Sequence, residues 1–358
     1  MIPVLQFIKI VSGLLKLSDK LPKGIIEKSL TYPGLDEGNI PLKVIEPKNG
    51  CKKVFIIYPG ASPFAEQHPE ITKMAYLIAG MKIRVYLPRL PLLKDLIISP
   101  DNSEWMVHFY KWVCNEEKTL SRKIYLIGMS FGGALLLKAN LKLNQFTPSP
   151  VAVMTYGTFY NFDTTFNFLT TGIHHLEEVK MYCQPHDWGT VVILNNYLKF
   201  IDTDYDQTNI LKNISFLVNN EPEKAETHKK TLPDFDQIYL NDLIESKHNP
   251  DIKHAIESIK IVCKDELHSL SPKYWYENIK GKVFVLHGIN DNMIPYTESV
   301  KLAKSIDNSE ILISGLYGHN SPDEQNSGIS KLKEAVKLVT FLLRFMEYDE
   351  NTDIPRRV

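Results

Sequence analysis

One stretch limits what this chain can fold into more than any other: residues 123–137, Lys-Ile-Tyr-Leu-Ile-Gly-Met-Ser-Phe-Gly-Gly-Ala-Leu-Leu-Leu. Its first half, with Ile124, Tyr125, Leu126 and Ile127, is an apolar run of strand-favouring types. Its second half, Ala134 to Leu137 and on through Lys138 and Ala139, is made of good helix formers. Between them lies Gly128-Met129-Ser130-Phe131-Gly132, a G-x-S-x-G. A strand that passes into a helix within so few residues must turn sharply at Ser130. Such a turn strains the serine backbone and lifts its hydroxyl above the sheet edge. Glycines two before and two after keep side chains out of the crowded space.

The flanking sequence extends the same rhythm. Strand-like runs at 25–32 and 40–45, separated by Pro33-Gly34 and Glu37-Gly38, read as an antiparallel opening pair. A buried strand at 53–58, a helix at 65–81 interrupted early by Pro69, a strand at 83–87 and a long aromatic-rich helix at 103–120 follow. The Ser130 unit comes next, then a strand at 151–156. The alternation then breaks. Segments 190–201, 205–217, 240–246 and 252–262 have helical patterning, with polar material between them. Strand and helix alternate again through 282–287, 297–306, 310–313 and 330–346. This order predicts a mostly parallel α/β sheet of about eight strands with helices on both faces. The core spans 21–159 and 276–347, a helical cap is inserted at 160–275, and 348–358 form a polar tail.

A formal net charge of −1 supplies no basic field for nucleic acid. The four cysteines, at 51, 114, 183 and 263, form no C-x-x-C pair, which argues against a zinc or redox motif and fits reduced thiols in the cytoplasm. Residues 1–17, within an N-terminal segment 1–20, are mostly apolar, with Gln6, Lys9, Ser12 and Lys16 drawing a narrow polar stripe at helical spacing. Lysines inside so short a run argue against an export signal and against a membrane span. The segment reads as an amphipathic helix docked on the protein, with peripheral contact to a membrane as the next alternative and a cleaved export signal as the last.

A serine hydroxyl needs a base to take its proton, and the base needs an acid to hold it in one tautomer. Two later motifs supply candidates, the acid first and the base after it. Strand 283–287 runs into Gly288-Ile289-Asn290-Asp291-Asn292-Met293-Ile294-Pro295, and strand 310–313 runs into Ser314-Gly315-Leu316-Tyr317-Gly318-His319. With the Ser130 turn, these segments resemble the α/β-hydrolase family, in particular its serine esterase and lipase-like members. The resemblance implies Ser130 as nucleophile, Asp291 as acid and His319 as general base. Asp163, just after the 151–156 strand, is the spare acid candidate. It further implies an oxyanion hole from the N–H groups of Phe131 and Ala61, the latter in Tyr58-Pro59-Gly60-Ala61-Ser62, where Pro59 stands in place of the family's common histidine.

The aromatic run with Phe159, Tyr160 and Phe162 is either a substrate-pocket wall or core of the inserted segment. His174, His175, Glu177 and Glu178 match no metal-ligand spacing and read as a solvated helix end. His287 reads as structural. Together the motifs imply a serine hydrolase that cleaves a small-molecule carboxylic ester without metal or organic cofactor. A thioesterase, an acyltransferase and a non-catalytic binding protein of the same fold remain the alternatives. Oligomeric state is not encoded in any of these motifs.

Overall fold

The computed structural model describes residues 10–13, 18–36, 38–117, 122–247, 249–316 and 328–349. The remaining residues, His319 among them, lie outside the described set.

The central sheet has eight strands: β1 (Ile25–Pro33), β2 (Asn39–Pro47), β3 (Lys53–Tyr58), β4 (Ile83–Pro88), β5 (Lys123–Met129), β6 (Val153–Tyr156), and two more that complete it after a long insertion, β9 (Val283–Gly288) and β10 (Ser309–Ser314). Their order is β1-β2-β4-β3-β5-β6-β9-β10. β1 and β2 pair antiparallel, β2 meets β4 antiparallel, and every later pairing is parallel. The central strands β3, β5, β6 and β9 are apolar on both sides, as strands covered by helices on both faces must be.

Two apolar layers flank the sheet. One packs α3 (Asn102–Glu117) and α4 (Phe131–Leu143) on one face and continues into the insertion. The other packs α1 (Pro69–Gly80) and α13 (Gly328–Glu347) on the opposite face, over Phe55, Ile57, Ile127, Met154 and Leu286. A short helix α2 (Pro91–Lys94) joins β4 to α3. The expected helix 65–81 is split. A 3-10 turn, Ala65–Gln67, precedes α1, because Pro69 bars the preceding His68 from helical backbone and itself has no N–H to give. Of the N-terminal segment, residues 10–13 form a helical turn. Its Ile10 and Val11 are buried in the α1/α13 layer, which agrees with docking on the protein for those four residues. At the other end, Tyr125 Oη donates to Tyr348 O at 2.9 Å, which ties the start of the polar tail to β5.

The insertion runs between β6 and β9. It holds α5 (Phe162–Thr171), α6 (Asp187–Tyr197), α7 (Thr208–Val218), α8 (Pro222–Lys229), α9 (Asp234–Ile244), α10 (Pro250–Val262) and α11 (Lys264–Leu270), after which α12 (Tyr296–Ser305) follows β9. It is not wholly helical. A two-stranded hairpin, β7 (Ile173–Leu176) and β8 (Val179–Tyr182), interrupts it. The reading of His174 to Glu178 as a solvated helix end is therefore corrected. Gly172 takes left-handed backbone and ends α5, and the chain leaves as a strand. His174 is buried between the rings of Phe168 and Tyr296, and burial pushes its pKa down. No group of residues suited to a metal ion occurs among the described residues. α8 was hidden in the polar run after Asn219, where Pro222 supplies the preset φ of a first helical turn.

Candidate functional site

The parallel register brings the ends of four strands level. Tyr58 of β3 lies beside Gly128 of β5, Met129 beside Tyr156 of β6, and Tyr156 beside Leu286 of β9. Ser130 follows directly at the carboxyl edge. Its φ is 51° and its ψ −129°, a conformation that L side chains rarely adopt. Two hydrogen bonds hold the turn: Ser130 N–H donates to Tyr156 O at 2.6 Å, and Gly133 N–H donates to Ser130 O at 2.9 Å.

The loop after β3 presses on this turn through two glycines. A Cβ on Gly132 would overlap the Pro59 carbonyl oxygen, and one on Gly60 would lie 3.0 Å from Ser130 Cβ. This close packing sets Ala61 beside the serine. Phe131 opens α4, so its N–H is one of the helix's unsatisfied N-terminal donors. Neither the Ala61 nor the Phe131 N–H hydrogen-bonds to another described residue.

Asp291 sits in the loop after β9, 3% exposed. Its Oδ1 accepts from the N–H groups of Met293 and Ile294, both at 2.9 Å. Its Oδ2 lies 3.1 Å from Nε2 of His287. A buried carboxylate is tolerated only with such donors around it. His287 Nε2 also faces Ile294 O at 2.9 Å. Both neighbours are acceptors, so Nε2 carries a proton. On its other side Nδ1 is 2.6 Å from Ser299 Oγ, which donates to Thr158 O at 3.1 Å. Sequence patterning gave His287 a structural role, and its place as the partner of Asp291 comes only from the geometry. Neighbouring β10 ends level with β9, Ser314 beside Gly288, and Gly315 N–H donates to Glu334 Oε2 at 3.0 Å. The chain thus leaves β10 at the same edge as the Asp291 loop.

The spare acid, Asp163, lies in the first turn of α5 and accepts from Tyr274 Oη at 3.3 Å. Phe159 and Phe162 are buried, with ring centroids 4.2 Å apart, and Phe131 stacks on Phe159. Tyr160 is half-buried and accepts from Ser305 Oγ. None of the three lines the cavity described next.

A cavity of about 400 Å³ opens at Ser130. Gly60, Ala61, His68, His186 and Trp188 border its mouth, and Leu217 and Asn220 of the insertion reach it. His68 and His186 carry no motif that would have marked them. Hydrogen bonding to the Asp187 carboxylate, 2.6 Å away, raises the His186 pKa against the opposing effect of burial. The His186 N–H donates to Asn292 O at 2.8 Å, fastening the insertion to the Asp291 loop.

No protein-family model matches the chain, and no curated protein does. Solved structures do. The uncomplexed acylaminoacyl peptidase of Pyrococcus horikoshii superposes at a TM-score of 0.53 with 13% identity, covering 93% of this chain and 44% of that one. An acylaminoacyl peptidase bound to Z-Gly-Gly-Phe-chloromethyl ketone gives 0.54 with 12% identity, over 93% of this chain and 43% of the other. The chain has the α/β-hydrolase fold. It spans less than half the length of these peptidases. Within the α/β-hydrolase sheet, Ser130 and Asp291 follow the fifth and the penultimate strands in sequence order, counting only those in the central sheet. Among the described residues, no helix is long and apolar enough to cross a membrane.

Proposed function

We propose that the chain is a serine hydrolase that cleaves carboxylic esters through an acyl-enzyme on Ser130. The observation that carries this reading is the backbone of Ser130, held at positive φ at the mouth of a cavity, with two N–H groups beside it that bond to no other described residue. A fold spends strain of this kind where it positions a reacting group.

Ser130 Oγ attacks the ester carbonyl carbon as His319 takes its proton. The carbonyl oxygen becomes an oxyanion, which the Phe131 and Ala61 N–H groups hold, with the α4 N-terminus adding its positive end. The tetrahedral intermediate collapses, the C–O bond to the alcohol breaks, and His319 returns the proton to that alcohol. Water, deprotonated by His319, then attacks the acyl-enzyme; the Ser130 Oγ–C bond breaks, His319 returns the proton to Oγ, and the acid leaves. Asp291 orients the imidazole and stabilises its charged form. Helices of the insertion reach the mouth as a cap, through His186, Trp188, Leu217 and Asn220. The same steps serve a thioester, and an alcohol in place of water would make the reaction an acyl transfer. Labelling with a fluorophosphonate tests the reading: one adduct on Ser130, absent from Ser130→Ala, is expected. No adduct on folded wild-type protein would overturn it.

A further inference from the structure

Most of the cavity lies away from its mouth. It runs beneath Ser130 between the sheet and the α1/α13 layer. Along the sheet its floor descends from Met129 through Ile127 and Ile57 to Phe55, which pairs with Tyr125. Four strand steps, from Met129 to the level of Tyr125, make about 13 Å. The opposite wall gives the same measure: from Ile71 to Met81, at the end of α1, is about 15 Å at helical rise. At the far end Met81, Phe55 and Met346 close it. The cavity is thus a slot, long for its volume.

Polarity is graded along this slot. Ser62, His68, Glu70, His186 and Asn220 sit at the serine end, where the loops and the start of α1 meet the insertion. Below Ser130 the described lining is apolar. Close-packed interiors leave few voids larger than a water molecule, so a space of this size along a sheet-helix interface is not ordinary packing. Its walls are also unusually compliant. Of the nine methionines in the chain, Met74, Met81, Met129, Met154 and Met346 line its depth and Met293 its mouth. Unbranched thioether side chains adapt to a flexible apolar guest where branched ones would fix one shape.

We infer that this slot is an acyl-chain site, and that the substrates are esters of long, unbranched carboxylic acids whose tail threads down the sheet face while the carbonyl stays at Ser130. The inference rests on the proposed role of Ser130. It places the tail under the sheet edge and not among Phe159, Tyr160 and Phe162, whose rings are packed into the core.

Chain length is the direct probe. With a p-nitrophenyl ester series from acetate to hexadecanoate, kcat/KM is expected to climb by up to about fourfold per added methylene. It should level off once the slot is full. Met81→Trp, which fills the far end, should lower the dodecanoate-to-butyrate ratio of kcat/KM by at least about tenfold. Met81→Ala, which lengthens the slot, should move the plateau to longer chains; it guards against a tryptophan variant that fails to fold. A flat chain-length profile, or variants that change all esters alike, would overturn the inference. Binding of dansylaminoundecanoic acid to Ser130→Ala, followed by fluorescence, separates this inference from the hydrolase reading. Saturable binding weakened by Met81→Trp, with no ester turnover in wild type, would leave the acyl site standing and remove the hydrolase. Short-ester turnover without probe binding would do the reverse.

Discussion

Nε2 of His287 lies 3.1 Å from Oδ2 of Asp291, and both side chains are shut away from solvent. The imidazole is itself clamped by Ser299 on its far side, so a chain of hydrogen bonds runs from Thr158 O through Ser299 and His287 to the carboxylate. On the proposed acid role of Asp291, His287 acts as a positioning residue, through Asp291. His287→Phe is expected to lower kcat on the order of 10²-fold with KM little changed, the scale of a small misplacement of a reacting group. His287→Gln, whose amide can still donate, should restore part of it. Steady-state kinetics on one ester decides: equal loss in both variants, or a loss confined to KM, would assign His287 to stability alone.

The triad assignment makes an ordered set of expectations. Ser130→Ala and His319→Ala should each cost on the order of 10⁶ in turnover, and Asp291→Ala about 10⁴ to 10⁵. Asp163→Ala should cost little. Activity of the wild type should decline as pH falls through about 6.5, where imidazole gains its proton. His68→Ala and His186→Ala provide the contrast, because both histidines border the cavity mouth with Ser130. A loss near 10⁶-fold in either, with His319→Ala active, would move the base.

Gly132 and Pro59 touch so closely that any side chain at 132 must push the loop after β3 away from the serine. Gly132→Ala should therefore displace the Ala61 N–H. The expected cost in kcat is about 10² to 10³, that of one lost oxyanion donor, together with a lower Tm. Calorimetry beside kinetics checks both, and a variant with unchanged kcat would remove Ala61 from the oxyanion hole.

Glu334 joins α13 to the end of β10, accepting from Gly315 N–H and from Lys337 Nζ. The Lys337 ammonium, with the Gly315 N–H, holds its pKa below the usual carboxylate value against the effect of burial. A lowered folded-state pKa means that this contribution to stability is present above the unfolded value, about 4.3, and is lost as pH falls through the folded one. Tm measured against pH should show wild type above Glu334→Ala near neutrality, with the gap closing below about pH 4. A gap that is constant with pH would show that the carboxylate charge plays no part.

The sequence alone determined most of the sheet and the sharp turn at Ser130. Strand periodicity, glycine spacing and the strand-to-helix switch are local properties, so residues 123–137 announce their elements on their own, while the strained backbone of Ser130 is held from outside by Tyr156 O. In the sequence the run 162–171 is read for its aromatics and not as a helix, although Phe162, Phe166 and Leu169 recur at helical spacing; the hairpin 173–182 is short, and its strands depend on what packs against them. Pro222 marked a helix start that a polar neighbourhood concealed.

Tertiary structure alone decided how the site is assembled. Asp291 and His287 are near in sequence, yet only the loop bend that turns Met293 and Ile294 N–H onto the carboxylate makes them partners. Gly60 and Ser130 meet because β3 and β5 pair in parallel register. The slot under Ser130 was invisible in the chain. Its methionines at 74, 81, 129, 154 and 346 come from α1, the turn after it, β5, β6 and α13, and read one by one as ordinary core residues. Apolar patterning says which side chains leave water, but whether the helices close fully on the sheet depends on how their shapes fit, which no local pattern encodes.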